Sequence, residues 1–426
     1  MPTAKIFTCS QPAFLYFMFL ILLAGVLILG PLGQFPLGIP DVRLYFSDLV
    51  VFGVLLLVLK DFSKYREFVL RDAISRFFLL FVGIASFSLL VTPLSLPVRE
   101  WAISGLYLIR LGAYFCVYLY LRHVSTLWKI KPVSIYNGLM WAGAVICAIG
   151  WFQYVLYPDL RNLFYLGWDP HLNRIFSTYF DPNFLGLILV LTLIVIWVRL
   201  GPFTSEEFRQ RRTGMASTSF QPATIRGGFN LVLFMIGLFV FVTLAFTYSR
   251  GSYLALIAAT IYLAVVKRKL MLIGIVGAVL AITLVLLPRS FGHGVLLERV
   301  FSIKQRIENF KQGLSIFVKN PLMGVGFNTT RYAKQKYVNA GNPSIEDHSG
   351  AGFDNSLLFV LVTTGMAGLV AYLLFLSKMF SHIGLIGRTT LVAAVTHSFF
   401  VNSLFFPWVM LWLWVIVAND PAKGYK

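Results

Sequence analysis

Long apolar runs separated by short polar segments recur along the whole chain. Stretches near 13–30, 44–59, 75–92, 101–121, 136–157, 183–200, 229–247, 251–267, 270–288, 354–377, 383–404 and 405–419 approach or exceed the length that crosses ~30 Å of hydrocarbon. Only Phe405-Phe406-Pro407 divides the last two, so the pattern predicts eleven or twelve spans. Lipid offers backbone N–H and C=O groups no partner, so each span must be a helix. The predicted fold is an all-α, polytopic integral membrane protein, read as one transmembrane domain over 1–426 with no internal repeat. The apolar stretch after Lys5 lacks a small-residue cleavage site and is read as the first span rather than a signal peptide.

Two polar segments interrupt the spans. Residues 201–228 are rich in Ser, Thr, Gln, Gly and Pro and are expected to form a cytoplasmic loop. Residues 289–353 form one long extracytoplasmic loop. Within it Val300, Ile303, Ile307, Phe310, Leu314 and Phe317 step by three or four, which predicts an amphipathic helix at the membrane interface or on the bundle mouth. Asn320-Pro321 ends it, because the residue before a proline leaves the helical region. The chain re-enters the membrane at Asp354-Asn355-Ser356, three residue types favoured as helix N-caps.

Composition sharpens this picture. The 426 residues are 58% hydrophobic and only 12% charged, against roughly 25% charged in a soluble domain. The net charge of +19 is mostly a topological signal. With the N-terminus inside, inner segments carry 21 Lys and Arg and the short outer loops five, so the positive-inside rule fixes the orientation. The basic residues are scattered over loops without a nucleic-acid motif, which argues for membrane lipid and against nucleic acid as partner. Cys9, Cys116 and Cys147 are dispersed and predict neither a disulfide framework nor a metal site.

This topology puts Arg174, Arg250 and Arg306 on the outer face, each in a distinctive local sequence. Guanidinium groups hold phosphate bidentately, so an outer arginine cluster is suited to a lipid-linked pyrophosphate. Each arginine also has a plainer account as a snorkelling topological charge. Arg110 lies inside the fourth span, where it serves either a function or a structural pair with an acid such as Asp48. His397 and Asn402, in a late span, are expected to hydrogen-bond between helices.

Four segments in order carry a resemblance. Arg174 followed by Phe180-Asp181-Pro182-Asn183 looks like the Arg…Asn-Pro-Asn segment of the O-antigen ligase and O-antigen polymerase superfamily. Thr247-Tyr248-Ser249-Arg250-Gly251 is similar to its Thr-x-Ser-Arg segment. Arg306 with Pro321-Leu322-Met323-Gly324-Val325-Gly326 resembles its extracytoplasmic helix and following Pro-Leu-x-Gly-x-Gly. Asp354-Asn355 with Gly365 and Gly368 resembles its His-Asn…Gly-x-x-Gly helix start. The matched core spans 170–375.

The resemblance implies a metal-independent, cofactor-free membrane glycosyltransferase with a GT-C-like fold. It implies transfer from an undecaprenyl-pyrophosphate-linked glycan donor to a glycan, lipid or protein acceptor outside the cytoplasmic (inner) membrane, in polysaccharide or lipopolysaccharide synthesis for the cell envelope. Arg174, Arg250, Arg306, Asn183 and Asn355 are then substrate-binding residues. The catalytic base is His348 or Asp354: where the family has His-Asn, this chain has Asp354-Asn355, with His348 six residues earlier. The rival reading is a transporter or flippase of lipid-linked oligosaccharide. Repeated halves and paired Gly/Pro-broken spans are missing, which counts against it.

Overall fold

The computed structural model describes residues 11–35, 43–127, 132–166, 168–200, 223–288, 295, 301–338, 352–420 and 422. Among them are fifteen α-helices: α1 Gln11–Leu29, α2 Phe46–Lys60, α3 Phe62–Arg71, α4 Ala73–Leu90, α5 Val98–Leu127, α6 Pro132–Leu156, α7 Pro182–Arg199, α8 Ala223–Ala245, α9 Arg250–Val266, α10 Met271–Leu286, α11 Phe301–Lys319, α12 Thr330–Val338, α13 Ser356–His382, α14 Leu385–Ser398 and α15 Pro407–Asn419. Each of the twelve predicted spans coincides with one of these helices. α4, α5, α6, α7 and α13 are long and apolar enough to cross a membrane. The fold is therefore all-α and polytopic. Strand pairing among the described residues is confined to a ribbon of Gln34–Phe35 with Leu44–Tyr45 and a single bridge between Asp159 and Leu172.

α7 is the innermost helix. Leu187 through Leu191 and Leu193 through Ile196 are fully buried on every face. α15 packs beside it and buries Trp408 and Trp412. α10 is peripheral: Val285 and Leu286 are 77% and 76% exposed, which suits a face turned to lipid rather than protein. Among apolar tails such helices associate through packing and hydrogen bonds. Arg110 shows how a charge is carried inside. Its Nε and Nη2 each lie 2.8 Å from a carboxylate oxygen of Asp48, and the Tyr114 hydroxyl adds a third bond to the same carboxylate. Arg110 thus has the structural pairing expected of a desolvated charge.

α13 is broken at Gly365, which adopts φ 65°, ψ −166°. The segment after α11 fills the break. Val325 and Gly326 donate backbone hydrogen bonds to Val362 and Thr363, and Met366 and Ala367 donate to Pro321 and Leu322. Irregular backbone at membrane depth survives only where protein satisfies it, and these four bonds do so. The approach demands glycine on both sides. A Cβ on Gly365 would lie 2.2 Å from the Leu322 carbonyl oxygen, and one on Gly324 2.5 Å from the Thr363 carbonyl carbon. Ser88 of α4 caps the junction by donating to the carbonyls of Met323 and Thr363.

This inserted segment anchors α11 and α12 at one end of the bundle. The predicted outer loops gather at the same end. Thr92 donates to the Val325 carbonyl, Ile175 N to Phe246 O, and Asn355 Nδ2 to Phe399 O. α11 runs over this cap end as the periodicity predicts, stopping one residue before Asn320. Its Gly313–Ile316 face packs on α13, while Ile307, Phe310 and Leu314 remain exposed.

Candidate functional site

The first turns of α7, α9 and α13 and the last turn of α14 all point to the cap end, beneath α11. α9 begins at a sharp turn. Tyr248 has φ 50°, and the Ser249 side chain caps the helix by accepting from Ser252 N. Arg250 is the first helical residue, held where the backbone turns back into the bundle.

Arg250 and Arg306 line one cavity of about 580 Å³. Lys311 adds a third cation to its wall. The remainder is apolar: Leu254 of α9, Ile307 and Phe310 of α11, and Phe399 and Phe400 after α14. The Arg306 guanidinium lies over the Phe400 ring at 6.0 Å. Burial, and then the neighbouring Arg250 charge, push Arg306 below the ordinary arginine range, while Asp354 and Asp181 hold it up.

Arg174 does not line this cavity. It is 2% exposed, and its Nε donates to the Thr247 carbonyl at 2.8 Å, behind the turn that carries Arg250. Its Nη1 lies 3.5 Å from His171 Nδ1, and Asp181 feels its charge. Asp181 caps α7 by accepting from Asn183 N at 2.6 Å. Asn183 lies on the same side of the bundle as Ser249, whose hydroxyl donates to its Oδ1.

Asp354 and Asn355 divide their work. Asn355 is the cap of α13: its Oδ1 accepts from Leu357 N and Leu358 N at 2.8 and 3.0 Å. Asp354 carries no capping bond and opens to solvent beside Arg306. Surrounding protein raises its carboxyl from the ordinary value, against the pull of Arg306 and then Lys334. Because the side chain is solvent-reachable, water moderates that push. Lys334 of α12 is 4% exposed, donates to the Gly352 carbonyl at 2.8 Å and sits 4.7 Å above the Phe353 ring. It locks the segment leading into Asp354. His348, the other base expected from the sequence, lies outside the described residues.

His397 of α14 is fully buried, with the Asn183 backbone of α7 beside its ring. The Asn402 side-chain oxygen, for which an interhelical hydrogen bond is expected, has no partner among the described residues. Sequence reading missed Lys334, because the polar stretch around it carries no span and no motif, and Lys311, which looks like one more charge on an amphipathic helix. Asp169, His171 and Asp181 have ligand atoms within 4.8 Å of one another and form the described grouping suited to a cation. Arg174 beside His171 opposes a metal there.

The fold and site define a polytopic membrane bundle with a mostly apolar cavity at one end that carries three cations. Residues 233–373 match the O-antigen ligase family, Wzy_C. The match begins in α8 and ends in α13, and it takes in Arg250, Arg306 and Asp354. That segment is similar to O-antigen ligases and supports glycan transfer of the O-antigen ligase/polymerase type in general. No curated protein matches the chain.

Proposed function

We propose that the protein transfers a glycan from undecaprenyl pyrophosphate to an acceptor hydroxyl on the outer face of the cytoplasmic membrane, without a metal. The observation that carries this reading is the cavity's lining, in which Arg250, Arg306 and Lys311 stand among apolar residues such as Leu254, Phe310 and Phe399. A pyrophosphate with a polyprenyl tail offers the same two chemistries. The leaving group departs as an anion, and guanidiniums aimed at its bridging oxygen stabilise that charge. The N-terminus of α9, from which Arg250 projects, adds its own positive field.

Asp354 is the favoured base. Burial raises its pKa, Arg306 and then Lys334 beside it favour the carboxylate, and capping falls to Asn355 instead. It takes the acceptor proton as the new C–O bond forms and the anomeric C–O bond to phosphate breaks. Arg174 supports the turn before Arg250, and Asn183 braces it from α7 through Ser249.

What accumulates on undecaprenyl pyrophosphate in a deletion strain tests the reading. Long polymer identifies a ligase and single repeat units a polymerase. An unchanged carrier pool rejects both.

A further inference from the structure

A second basic cavity lies between α2 and α5 and shares no lining residue with the one that holds Arg250 and Arg306. Arg43, Asp48, Tyr107 and Arg110 line it together with apolar groups such as Phe52 and Leu106, around about 120 Å³. A water takes about 30 Å³ of liquid, so a phosphate group fits. The cavity belongs to the cap end. The Arg43 guanidinium lies 5.7 Å from the centre of the Trp168 ring, and Trp168 packs on Phe180, just before the Asp181 cap of α7. Leu106 and, one turn on, Ile109 are 50% and 53% exposed, so the cavity borders an apolar surface of the kind that faces lipid.

Its polar groups are unequally satisfied. The Asp48 carboxylate is full: Oδ1 accepts from Arg110 Nε and the Tyr114 hydroxyl, and Oδ2 from Arg110 Nη2 and Tyr45 N. A carboxylate offers about four acceptor positions, so none is left for a ligand. The donors are not full. Arg110 commits Nε and Nη2 to Asp48, and among the described residues its Nη1 has no hydrogen-bond partner. The Tyr107 hydroxyl, on the same wall, has none among them either. The arginine is also the open member of its pair, 16% exposed against 2% for Asp48. Its guanidinium is held in place, with the Tyr45 and Tyr114 ring centres 5.4 and 5.8 Å away.

We propose that this cavity binds the phosphodiester of an anionic membrane phospholipid, held by Arg110, Arg43 and the Tyr107 hydroxyl, with an acyl chain laid along Leu106 and Ile109. Unspent donors beside a saturated acceptor select an anion, and a guanidinium already fixed by its neighbours binds phosphate at little ordering cost. A zwitterionic headgroup brings an ammonium as well, and Asp48 has no lone pair to give it. The site therefore favours phosphatidylglycerol over phosphatidylcholine. Through Arg43, Trp168 and Phe180 the bound lipid braces the loop that caps α7.

The test is native mass spectrometry of the full chain, delipidated in detergent and titrated with phosphatidylglycerol or phosphatidylcholine of matched acyl chains, with Tm measured in parallel. The wild type should bind phosphatidylglycerol more tightly than phosphatidylcholine and gain Tm with it. Y107F keeps the ring and removes one donor, so its lipid-free Tm should hold while affinity for phosphatidylglycerol falls about tenfold or more, the range for a hydrogen bond to a charged group. R43Q should lose a similar amount. R250A, in the other cavity, should bind phosphatidylglycerol as the wild type does. Arg110 is left intact, because its loss strands Asp48. Wild-type affinity in both Y107F and R43Q, or equal affinity for the two lipids, overturns the site. Displacement of the lipid by an equal concentration of inorganic phosphate would show a free-anion site and overturns the lipid assignment.

Discussion

At the residue scale the account rests on which side chains share the cavity and which only hold it. Arg250 and Arg306 line it; Arg174 is tied into the backbone behind it. R250A and R306A should therefore weaken donor binding. R250K should recover little, because an ammonium lacks the planar fork that grips phosphate bidentately. Asp354 predicts a different signature. D354N should cut the transfer rate by ~10²–10⁴-fold with donor affinity kept. The loss is not a capping effect, because Asn355 holds the cap. N355A should cost about 1 kcal/mol of stability instead. A base must be deprotonated, so activity should fall as pH drops through the Asp354 pKa. Arg306 and Lys334 both lower that pKa. K334Q removes one of these cations, so the acid limb should move to higher pH; an unmoved limb in the pH–rate profile would show that Asp354 is not the titrating group. The chemical types at these positions were legible in the sequence. Their division of labour was not, because three adjacent polar residues at 354–356 all read as caps, and only the bonds of Asn355 single one out.

At the element scale, hydropathy located the spans, since each must match one bilayer thickness, and three-to-four periodicity located α11. α12 was invisible: nine mostly polar residues carry neither signal. The break in α13 was half legible. Gly324, Gly326, Gly365 and Gly368 stood out as a pattern, yet nothing local reveals that one glycine pair exists so that a loop enters the other's helix. G365A tests that pairing. Its φ of 65° alone costs a non-glycine residue ~1–3 kcal/mol, and the 2.2 Å approach to the Leu322 oxygen adds a clash. A substantial drop in unfolding temperature is expected, with loss of activity as α11 and Arg306 shift. G53A in α2, where a Cβ meets nothing within 4 Å, is the matched control and should be nearly neutral.

At the scale of the whole molecule, the cap end gathers the first turns of α7, α9 and α13, the last turn of α14, and α11 above them. Clustering at one end suits an enzyme working on a carrier embedded in one leaflet, whereas a transporter keeps its site near mid-membrane. The outward placement of that end rests on the Lys/Arg bias. Reporters fused after Arg212 and near Asn339 should read cytoplasmic and extracytoplasmic respectively; the reverse pattern would turn the cavity inward and remove its access to acceptors outside. Intramembrane charge was legible as a question, and the fold answers it: Arg110 pairs with Asp48. R110A should destabilise the bundle by ~3–5 kcal/mol, because it leaves a buried carboxylate alone.

The central claim is that the Arg250–Arg306 cavity holds a lipid-linked pyrophosphate while its glycan is transferred. Transfer by the purified protein from undecaprenyl-pyrophosphate-linked glycan, with and without chelator, measures this directly. The account predicts product from the wild type that EDTA leaves undiminished, together with loss of transfer and of donor binding in R250A. Transfer by R250A at the wild-type rate, or transfer abolished by EDTA and restored by a divalent metal, would contradict it.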